Sequence, residues 1–222
     1  MYLSLLDPTK KESVSLSERR QQYGQFSVSP SGEKVAVEIV DNQIYSINIF
    51  DIKRGRFSSF LNSKHNYAPF WGVDGEKLYY TSNRTNPSEF RLYVYDFGKQ
   101  KEEEIILDGE PMSRVDVSSV SRDGNKILCF GEQKGSRSSE LYYVDISERK
   151  KYQLTKNRLQ EWGGVFSPDE KWLAYTSEKD MEGSFAIYLN RFPEMNEEIR
   201  ISTGGGEEPK WLPDGSAVYY RN

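Results

Sequence analysis

The amino-acid sequence predicts an all-β fold built from a repeated four-stranded unit. Two observations lead to this prediction: a composition rich in aromatic residues, and a short turn signature that recurs at a nearly constant interval. Aromatic residues make up 14% of the 222 residues, with 15 Tyr, 11 Phe and 4 Trp. Such side chains favour half-buried sheet surfaces. No long stretch of sequence has the apolar period of an amphipathic helix.

The turn signature occurs five times along the chain. Its copies are residues 29–32, 72–75, 121–124, 167–170 and 212–215. Their last positions, 32, 75, 124, 170 and 215, are therefore 43, 49, 46 and 45 residues apart. An interval of about 40–50 residues is typical of one blade of a β-propeller. Two copies, 72–75 and 121–124, lack the Ser-Pro pair of the others, which weakens these turns without changing the register.

The residues around each turn repeat in the same register. A large apolar residue lies four positions before each turn end, and apolar residues at a spacing of two follow the turn, as on one face of a strand. A third strand follows in each unit, and in three of them it ends at an acidic residue, namely Asp51, Asp96 or Asp145. We expect these aspartates to accept backbone hydrogen bonds in turns. A short fourth strand follows, and four strands make one propeller blade.

The predicted fold is therefore an all-β β-propeller of four-stranded antiparallel blades, forming a single domain over residues 1–222. Four complete blades are expected, with a half-blade at each end. Their predicted boundaries are 1–23, 24–66, 67–112, 113–159, 160–206 and 207–222. Pairing of the two half-blades would close a five-bladed ring, whereas a fragment of a larger propeller would leave them apart. Residues 17–23 are expected to form a polar loop between blades.

Phe166-Ser167-Pro168-Asp169, followed by Trp172-Leu173-Ala174-Tyr175, resembles the repeat core of TolB-type propellers, which are similar to Trp-Asp-repeat propellers. Residues 188–193 and 201–211 resemble a segment common in propellers attached to bacterial serine/threonine kinases. The resemblance implies a bacterial binding or scaffold module that works as a sensor outside the cytoplasmic membrane. The sequence contains no kinase signature.

Composition argues against several other classes. The formal net charge of −4 does not indicate a nucleic-acid-binding face, and no apolar run reaches the roughly 18 residues of a membrane helix. Residues 1–7 lack a basic region, so we expect no signal peptide there. The sequence leaves two cellular compartments open. We expect an extracytoplasmic location if the chain is part of a longer family member, and a cytoplasmic one if residues 1–222 are the whole protein.

Catalytic and metal-binding patterns are also lacking in the sequence. The single histidine, His65, is expected to pack in a loop, and no Gly-x-Ser-x-Gly elbow occurs. With one cysteine, Cys129, neither a disulfide nor a multi-cysteine metal site is possible. Residues 102–104, three glutamates, are interpreted as a solvated hairpin loop, and residues 204–206, three glycines, as a connection between blades. We predict no enzyme activity, no metal and no cofactor.

Binding is predicted where the fourth strand of one blade leads into the first strand of the next. These loops, residues 20–23, 65–67, 112–114, 160–162 and 205–208, should gather around one mouth of the propeller channel. Tyr67 and Trp162 are the predicted aromatic anchors. The predicted polar selectors are Arg114, Glu161, Glu207 and Glu208. Alternatively, Trp162 caps its own blade and the charges are solvated.

The leading functional prediction is a non-catalytic module that binds a protein or peptide partner, without nucleic acid and without membrane insertion. Two alternatives stay open. One is the accessory gating propeller of a prolyl-oligopeptidase-type serine peptidase. The other is a five-bladed propeller that processes glycosides, which would need acidic residues pointing into the channel.

Overall fold

The structure, a computed structural model, describes residues 4–7, 12–15, 21–62, 65–105, 112–156, 159–180 and 183–222. Across these residues every regular element is a β-strand, which confirms the all-β prediction. No helix that could cross a membrane is found in the described part of the chain.

The strands follow one another at short intervals. In chain order they are β1 (Ser4–Asp7), β2 (Glu12–Ser15), β3 (Gln22–Val28), β4 (Lys34–Asp41), β5 (Ile44–Asp51), β6 (Arg56–Leu61), β7 (Asn66–Trp71), β8 (Lys77–Asn86), β9 (Glu89–Asp96), β10 (Lys101–Ile105), β11 (Met112–Val120), β12 (Lys126–Gln133), β13 (Ser139–Asp145), β14 (Lys150–Gln153), β15 (Glu161–Phe166), β16 (Trp172–Ser177), β17 (Ala186–Arg191), β18 (Ile199–Arg200), β19 (Glu207–Trp211) and β20 (Val218–Arg221).

Consecutive strands pair in antiparallel fashion in groups of four. We name these groups blade I (β3–β6), blade II (β7–β10), blade III (β11–β14) and blade IV (β15–β18). Phe90 of β9 also pairs with Met112 of β11. The hairpins β1–β2 and β19–β20 form two-stranded sheets. The four-stranded antiparallel blades confirm the predicted propeller class, whereas the blade boundaries and the blade number stay predictions.

The chain divides into two compact units. Unit 1 contains residues 1–87 and 93–103, and unit 2 contains residues 88–92 and 104–222. The core of unit 1 includes Trp71, Leu78 and Tyr80, with Phe97 packed against it. In unit 2, Phe166 and Leu173 belong to the main buried cluster. Each core thus combines residues from the first and second strands of its blades, as the apolar register predicts.

The recurring turn closes in the same way in all five copies. The backbone N–H of its fourth residue donates to the carbonyl of its first residue at 2.8–3.0 Å. The copies 72–75 and 121–124, which lack Ser-Pro, keep this bond at 3.0 and 2.9 Å. The backbone geometry of the turn is therefore independent of the Ser-Pro pair.

A second main-chain bond recurs in each blade. The residue directly after the third strand donates its N–H to the carbonyl of the residue directly after the turn, at 2.9–3.0 Å. The four bonds run from Ile52 to Glu33, from Phe97 to Glu76, from Ile146 to Asn125 and from Phe192 to Lys171. This bond fixes where the third strand ends relative to the turn.

The aspartates that close the third strands act as predicted. Oδ1 of Asp51, Asp96 and Asp145 accepts the N–H of the residue three positions later, at 2.8, 2.9 and 3.0 Å. A backbone hydrogen bond of this kind lowers the pKa of Asp96. For Asp145 the hydroxyl of Ser147 is the main cause of the lowered pKa, followed by the N–H of Glu148. These carboxylates are thus turn-forming groups.

Two local predictions are wrong. Gln22 and Tyr23, which belong to the predicted loop 17–23, lie in β3 and pair with Val40 and Ile39. Residues 17–20 of that loop lie outside the described residues. The glutamates 102–104, predicted as a solvated loop, lie in β10. Their carboxylates pair with cations, namely those of Arg84, Lys101 and Arg91.

Glu102 belongs to a compact polar cluster in unit 1. Its Oε1 lies 2.8 Å from Arg84 Nη1, and its Oε2 accepts a short hydrogen bond from the Tyr80 hydroxyl. The guanidinium of Arg84 lies 4.0 Å from the ring centroid of Tyr93. This set ties the second, third and fourth strands of blade II together.

Blade IV of unit 2 repeats this arrangement with a different cation. Lys179 Nζ pairs with Glu198 and lies 4.0 Å from the ring centroid of Tyr188. The hydroxyl of Tyr175 donates to Glu198 at 2.5 Å. Burial lowers the pKa of Lys179, and the nearby acidic groups oppose that shift. The same polar cross-link therefore occurs in both units.

Candidate binding surface

The beginnings of three first strands, β7, β15 and β19, have the same irregular geometry. The register of the first strand against the second shifts between Tyr67 and Phe70, between Trp162 and Val165, and between Glu207 and Lys210. Such a β-bulge bends the strand and redirects a side chain. The residue after the first of each pair has a left-handed backbone, with φ of 50° at Ala68, 64° at Gly163 and 57° at Glu208.

Two of these left-handed residues carry a side chain, which costs about 1–2 kcal/mol relative to ordinary backbone. Each is held by a bond from the preceding blade. The N–H of Ala68 donates to Oε2 of the buried Glu38 at 3.1 Å, and the N–H of Glu208 donates to Thr176 Oγ1 at 3.3 Å. Glu38 and Thr176 both lie six residues after a turn end, so the support recurs with the repeat.

All six predicted site residues lie in strands, so the prediction that they lie in loops is wrong. Tyr67 is in β7, Arg114 in β11, Glu161 and Trp162 in β15, and Glu207 and Glu208 in β19. The first strands start earlier than predicted because their initial residues already pair with the second strand, as Glu161 does with Ser177. Of the other predicted loop residues, Arg20 lies outside the described residues.

In unit 1, Tyr67 is half-buried in an aromatic cluster. Its ring centroid lies 4.7 Å from that of Tyr45 and 6.2 Å from that of His65. Burial first, then Tyr45 and Glu38, raise the pKa of Tyr67, so its hydroxyl stays protonated at neutral pH. His65 thus packs against rings, as predicted. The rings of Tyr45 and His65 thus pack against Tyr67 and restrict its side chain.

In unit 2, Arg114 combines a fixed guanidinium with an exposed side chain. Its Nε and Nη2 lie 3.0 and 2.9 Å from Oδ2 of Asp116. The Asp116 side chain is 3% exposed, whereas that of Arg114 is 52% exposed. The buried carboxylate therefore orients a cation that stays accessible to a partner.

Glu161 and Trp162 follow one another in β15 but differ in accessibility. Glu161 is 2% exposed, and its Oε1 accepts a hydrogen bond from Ser177 Oγ at 3.2 Å. Trp162 is half-buried and meets Phe185 edge-on, with ring centroids 6.0 Å apart. Of the two, only Trp162 presents a substantial surface to solvent.

Glu207 and Glu208 both contact Arg221 of the adjacent strand. Arg221 Nε lies 3.2 Å from Glu208 Oε2, and its Nη2 donates a short bond to Glu207. The two acidic side chains thus belong to a surface ion-pair group within the β19–β20 hairpin. A partner would meet this group as a whole and not two separate carboxylates.

Within unit 2, the structure brings the predicted residues onto neighbouring first strands. The N–H of Phe166 in β15 donates to Ser119 Oγ of β11 at 3.4 Å, and Trp211 Nε1 of β19 donates to the Val165 carbonyl of β15 at 3.4 Å. Arg114, Trp162 and Glu207 therefore begin three adjacent strands. In the described residues, no group of three or more His, Cys, Asp or Glu side chains is placed to hold a metal ion.

Sequence reasoning missed a second feature, a cleft beside the recurring turns of unit 2. A cleft of about 520 Å³ is formed by residues from three consecutive turns and from blade IV. Its lining includes Arg122, Pro168, Trp172, Leu189 and Trp211. The presence of Trp172 and Trp211 beside two turns was the available signal. It could not indicate a cleft, because both residues also fit the apolar register of the strands.

Comparison with known proteins places the fold. The family model described as prolyl oligopeptidase, N-terminal β-propeller domain, matches residues 13–191. No curated protein matches the sequence. Among solved structures, TolB from Acinetobacter baumannii superposes with a TM-score of 0.76 at 18% identity, over 98% of this chain and 53% of that chain. The chain thus spans about half the length of that TolB.

Two further structures are similar in fold. Oligogalacturonate lyase from Vibrio parahaemolyticus has a TM-score of 0.69 at 14% identity, over 99% of this chain and 65% of that chain. A structure from an analysis of two prolyl endopeptidases has a TM-score of 0.66 at 15% identity, over 99% of this chain and 36% of that chain. These likenesses confirm the TolB-like propeller fold, while the finer resemblance to kinase-attached propellers stays a prediction. The chain belongs to the family of the prolyl oligopeptidase N-terminal β-propeller domain.

Proposed function

We propose that this chain is a non-catalytic β-propeller domain that binds a protein or peptide segment at the beginnings of its first strands. One observation supports this most directly. The same bulge position holds Tyr67 in unit 1 and Trp162 in unit 2, each half-buried and each backed by another aromatic ring. Aromatic side chains that are rigid and partly exposed are the usual anchors of protein interfaces.

The polar groups beside these anchors supply orientation in this proposal. Arg114 is held by Asp116 and is half-exposed, so it can meet a carboxylate or a carbonyl of the partner. The ion-pair group of Glu207, Glu208 and Arg221 offers both charges at the next first strand. Glu161 acts from inside, as a buried acceptor that supports the start of β15.

Selection from a random peptide library, displayed on phage and panned against the purified chain, tests this proposal. We expect peptides that bind unit 2 to lose at least tenfold in affinity with Trp162→Ala, and peptides that bind unit 1 to lose at least tenfold with Tyr67→Ala, measured by fluorescence anisotropy. Tyr152→Ala is the matched control, because Tyr152 lies on the fourth strand β14 and is half-buried. Peptides that bind all three variants equally well would contradict the proposed surface.

A second candidate function is favoured by the family match over residues 13–191. The domain would act as the accessory propeller of a prolyl-oligopeptidase-type serine peptidase and hold substrate peptides near a separate catalytic domain. In that case proline-containing peptides should bind better than the same peptides with Pro replaced by Ala. Equal binding of the two peptide sets would leave general protein or peptide recognition as the function.

A further inference from the structure

One end of blade III carries a group of exposed cations, on the side where β11 and β13 begin. Arg114 lies in β11, and Lys134 and Arg137 lie in the connection between β12 and β13. All three residues are exposed. In the described part of the chain, neither Lys134 nor Arg137 forms an ion pair. We call these three residues the basic rim. Its sign is opposite to the net charge of the chain, which is −4.

The connection that carries Arg137 has a defined backbone. The N–H of Ser136 donates to the Gln133 carbonyl at 2.9 Å, and the N–H of Ser138 donates to Ser136 Oγ at 3.0 Å. Gly135 supplies the left-handed residue of this turn, with a φ of 84°. None of these bonds uses the guanidinium of Arg137, so the connection presents this group to a partner.

The basic rim lies beside the aromatic anchor Trp162. Gln160 Nε2 donates to the carbonyl of Arg137 at 2.6 Å, and the N–H of Gln160 donates to Glu178 Oε1 at 2.9 Å. Gln160 directly precedes β15, and Trp162 follows two residues later. Two residues of an extended strand span about 7 Å. A peptide that covers Trp162 therefore comes within reach of Arg137.

The acidic residues at this end of blade III are less accessible than the cations. Asp116 Oδ2 is held by Arg114, and the Asp116 side chain is 3% exposed. Glu140 is 9% exposed, and its Oε2 accepts two hydrogen bonds from within blade III, at 2.8 and 2.7 Å. Glu132, which lies opposite Arg114 in the ladder, is half-buried. A partner therefore meets cations before it meets carboxylates.

We propose that unit 2 selects peptide segments in which a glutamate or aspartate lies close to the apolar residue that covers Trp162, and that the basic rim binds this carboxylate. The inference rests on the proposed function, because it assigns a charge to the peptide bound there. An arginine presents N–H groups in a planar fork that matches a carboxylate, and a lysine adds a compact positive charge. A basic segment is disfavoured because its cations would lie against three exposed cations, and like charges at an interface reduce affinity.

The spacing between the two recognised residues follows from the same geometry. The main chain of Arg137 touches Gln160, about 7 Å along the strand from Trp162, and the long side chain of Arg137 extends its reach. An extended peptide advances about 3.3 Å per residue. We therefore expect the acidic residue about two to four positions from the apolar one.

Two peptide libraries displayed on phage test this charge preference against the purified chain. They are alike except that the positions three before and three after a central Phe hold Glu in one library and Lys in the other. Only phage whose binding is lost with Trp162→Ala are counted, because these bind at the first strands of unit 2. We expect the Glu library to supply such phage at least tenfold more often than the Lys library.

Protein variants then test the basic rim with synthetic peptides of the Glu library, by fluorescence anisotropy. Arg137→Ala should weaken binding at least threefold and Arg137→Glu at least tenfold, with circular dichroism to verify folding. Arg149→Ala is the matched control and should leave affinity unchanged. Arg149 is also exposed, but it follows β13, whereas Arg137 precedes this seven-residue strand, so the two are roughly 20 Å apart. Arg114 is kept because its guanidinium holds Asp116.

The outcomes separate this proposal from the proposed function. Equal recovery of the two libraries, an excess of the Lys library, or an affinity of Arg137→Glu within twofold of the parent would overturn the charge preference and leave peptide binding at Trp162 in place. No Trp162-dependent phage from either library would overturn both for unit 2. A single-stranded oligodeoxynucleotide that binds more tightly than the Glu peptides and depends on Arg137 would also overturn the proposal, because the basic rim would then serve phosphate groups.

Discussion

Replacing Gly131 by alanine tests how the start of β11 is positioned. Gly131 lies in β12 and pairs with Val115, just beyond the register shift between Met112 and Arg114. A Cβ at residue 131 would lie 2.2 Å from the carbonyl oxygen of Arg114 and 2.7 Å from Met112 Cε. Cβ contacts below 3.0 Å essentially never occur, so the main chain at Arg114 would have to move by at least 3.0 − 2.2 = 0.8 Å.

The side chain of Met112 can adjust, but the carbonyl of Arg114 cannot move without disturbing the β11–β12 ladder. Overpacking of this kind costs about 1–3 kcal/mol, and we expect Gly131→Ala to lie at the upper end of that range. Urea unfolding followed by tryptophan fluorescence measures the change in the free energy of unfolding. The same displacement should loosen the Arg114–Asp116 pair, because the moved carbonyl belongs to Arg114.

Gly204→Ala is the matched control in the same unit. The nearest atom to a Cβ at residue 204 is Nδ2 of Asn222 at 3.7 Å, an ordinary contact. Replacing such a glycine is expected to leave stability unchanged or to raise it by up to about 1 kcal/mol, by restricting the unfolded chain. If Gly131→Ala unfolds within about 0.5 kcal/mol of the parent chain, the size of a typical surface effect, the inferred close approach at Arg114 is refuted.

Three further outcomes are expected. Arg84→Met should lower the free energy of unfolding by about 2 kcal/mol, the size of a hydrogen bond to a charged group. Lys179→Met should lower it by about 1 kcal/mol, since Lys179 has fewer hydrogen bonds to lose. Urea titration measures both values, and an unchanged free energy of unfolding in both variants would contradict a role for these polar clusters. Cys129 is fully buried, and burial raises its pKa to about 12, so Ellman's reagent at pH 8 should label it only after unfolding, and rapid labelling of the folded chain would refute this. Because the folded pKa of Asp145 is lowered, the ionised Asp145 carboxylate stabilises the fold above the unfolded pKa of about 3.9, and this stabilisation is lost as pH falls through the folded pKa. The stability difference between the parent chain and Asp145→Asn should therefore shrink below about pH 4. A difference in melting temperature that stays constant with pH would contradict the role of Asp145 in the turn.

The fold was predictable because its signal is repeated and local. Each turn copy lies between apolar runs in one register, so any single weak copy, such as 72–75, is corrected by the other four. The closing aspartates were predictable for the same reason, since a carboxylate after a strand has few partners other than the following backbone N–H groups. These features need only neighbouring residues in the sequence.

The first-strand starts were less predictable because the bulges break the alternation of apolar residues. The segments at Glu161 and Glu207 contain acidic and glycine residues that are typical of loops, although both residues pair with a second strand. Glu102 of β10 looked solvated since its partner Arg84 comes from a strand about 18 residues earlier in the chain. The cleft depends on residues from three turns, about 45 residues apart, whose proximity no local pattern encodes.

The main-chain bond that closes each third strand has a consequence for how freely the sequence can vary. Neither the donor, such as Phe192, nor the acceptor, such as Lys171, uses its side chain in this bond. Only proline at the donor position would remove it. Isoleucine or phenylalanine at the donor, and glutamate, asparagine or lysine at the acceptor, all make it at 2.9–3.0 Å. The residue that directly follows the turn can therefore be exchanged without loss of this bond, so the end of the third strand keeps its place while the sequence of the turn varies.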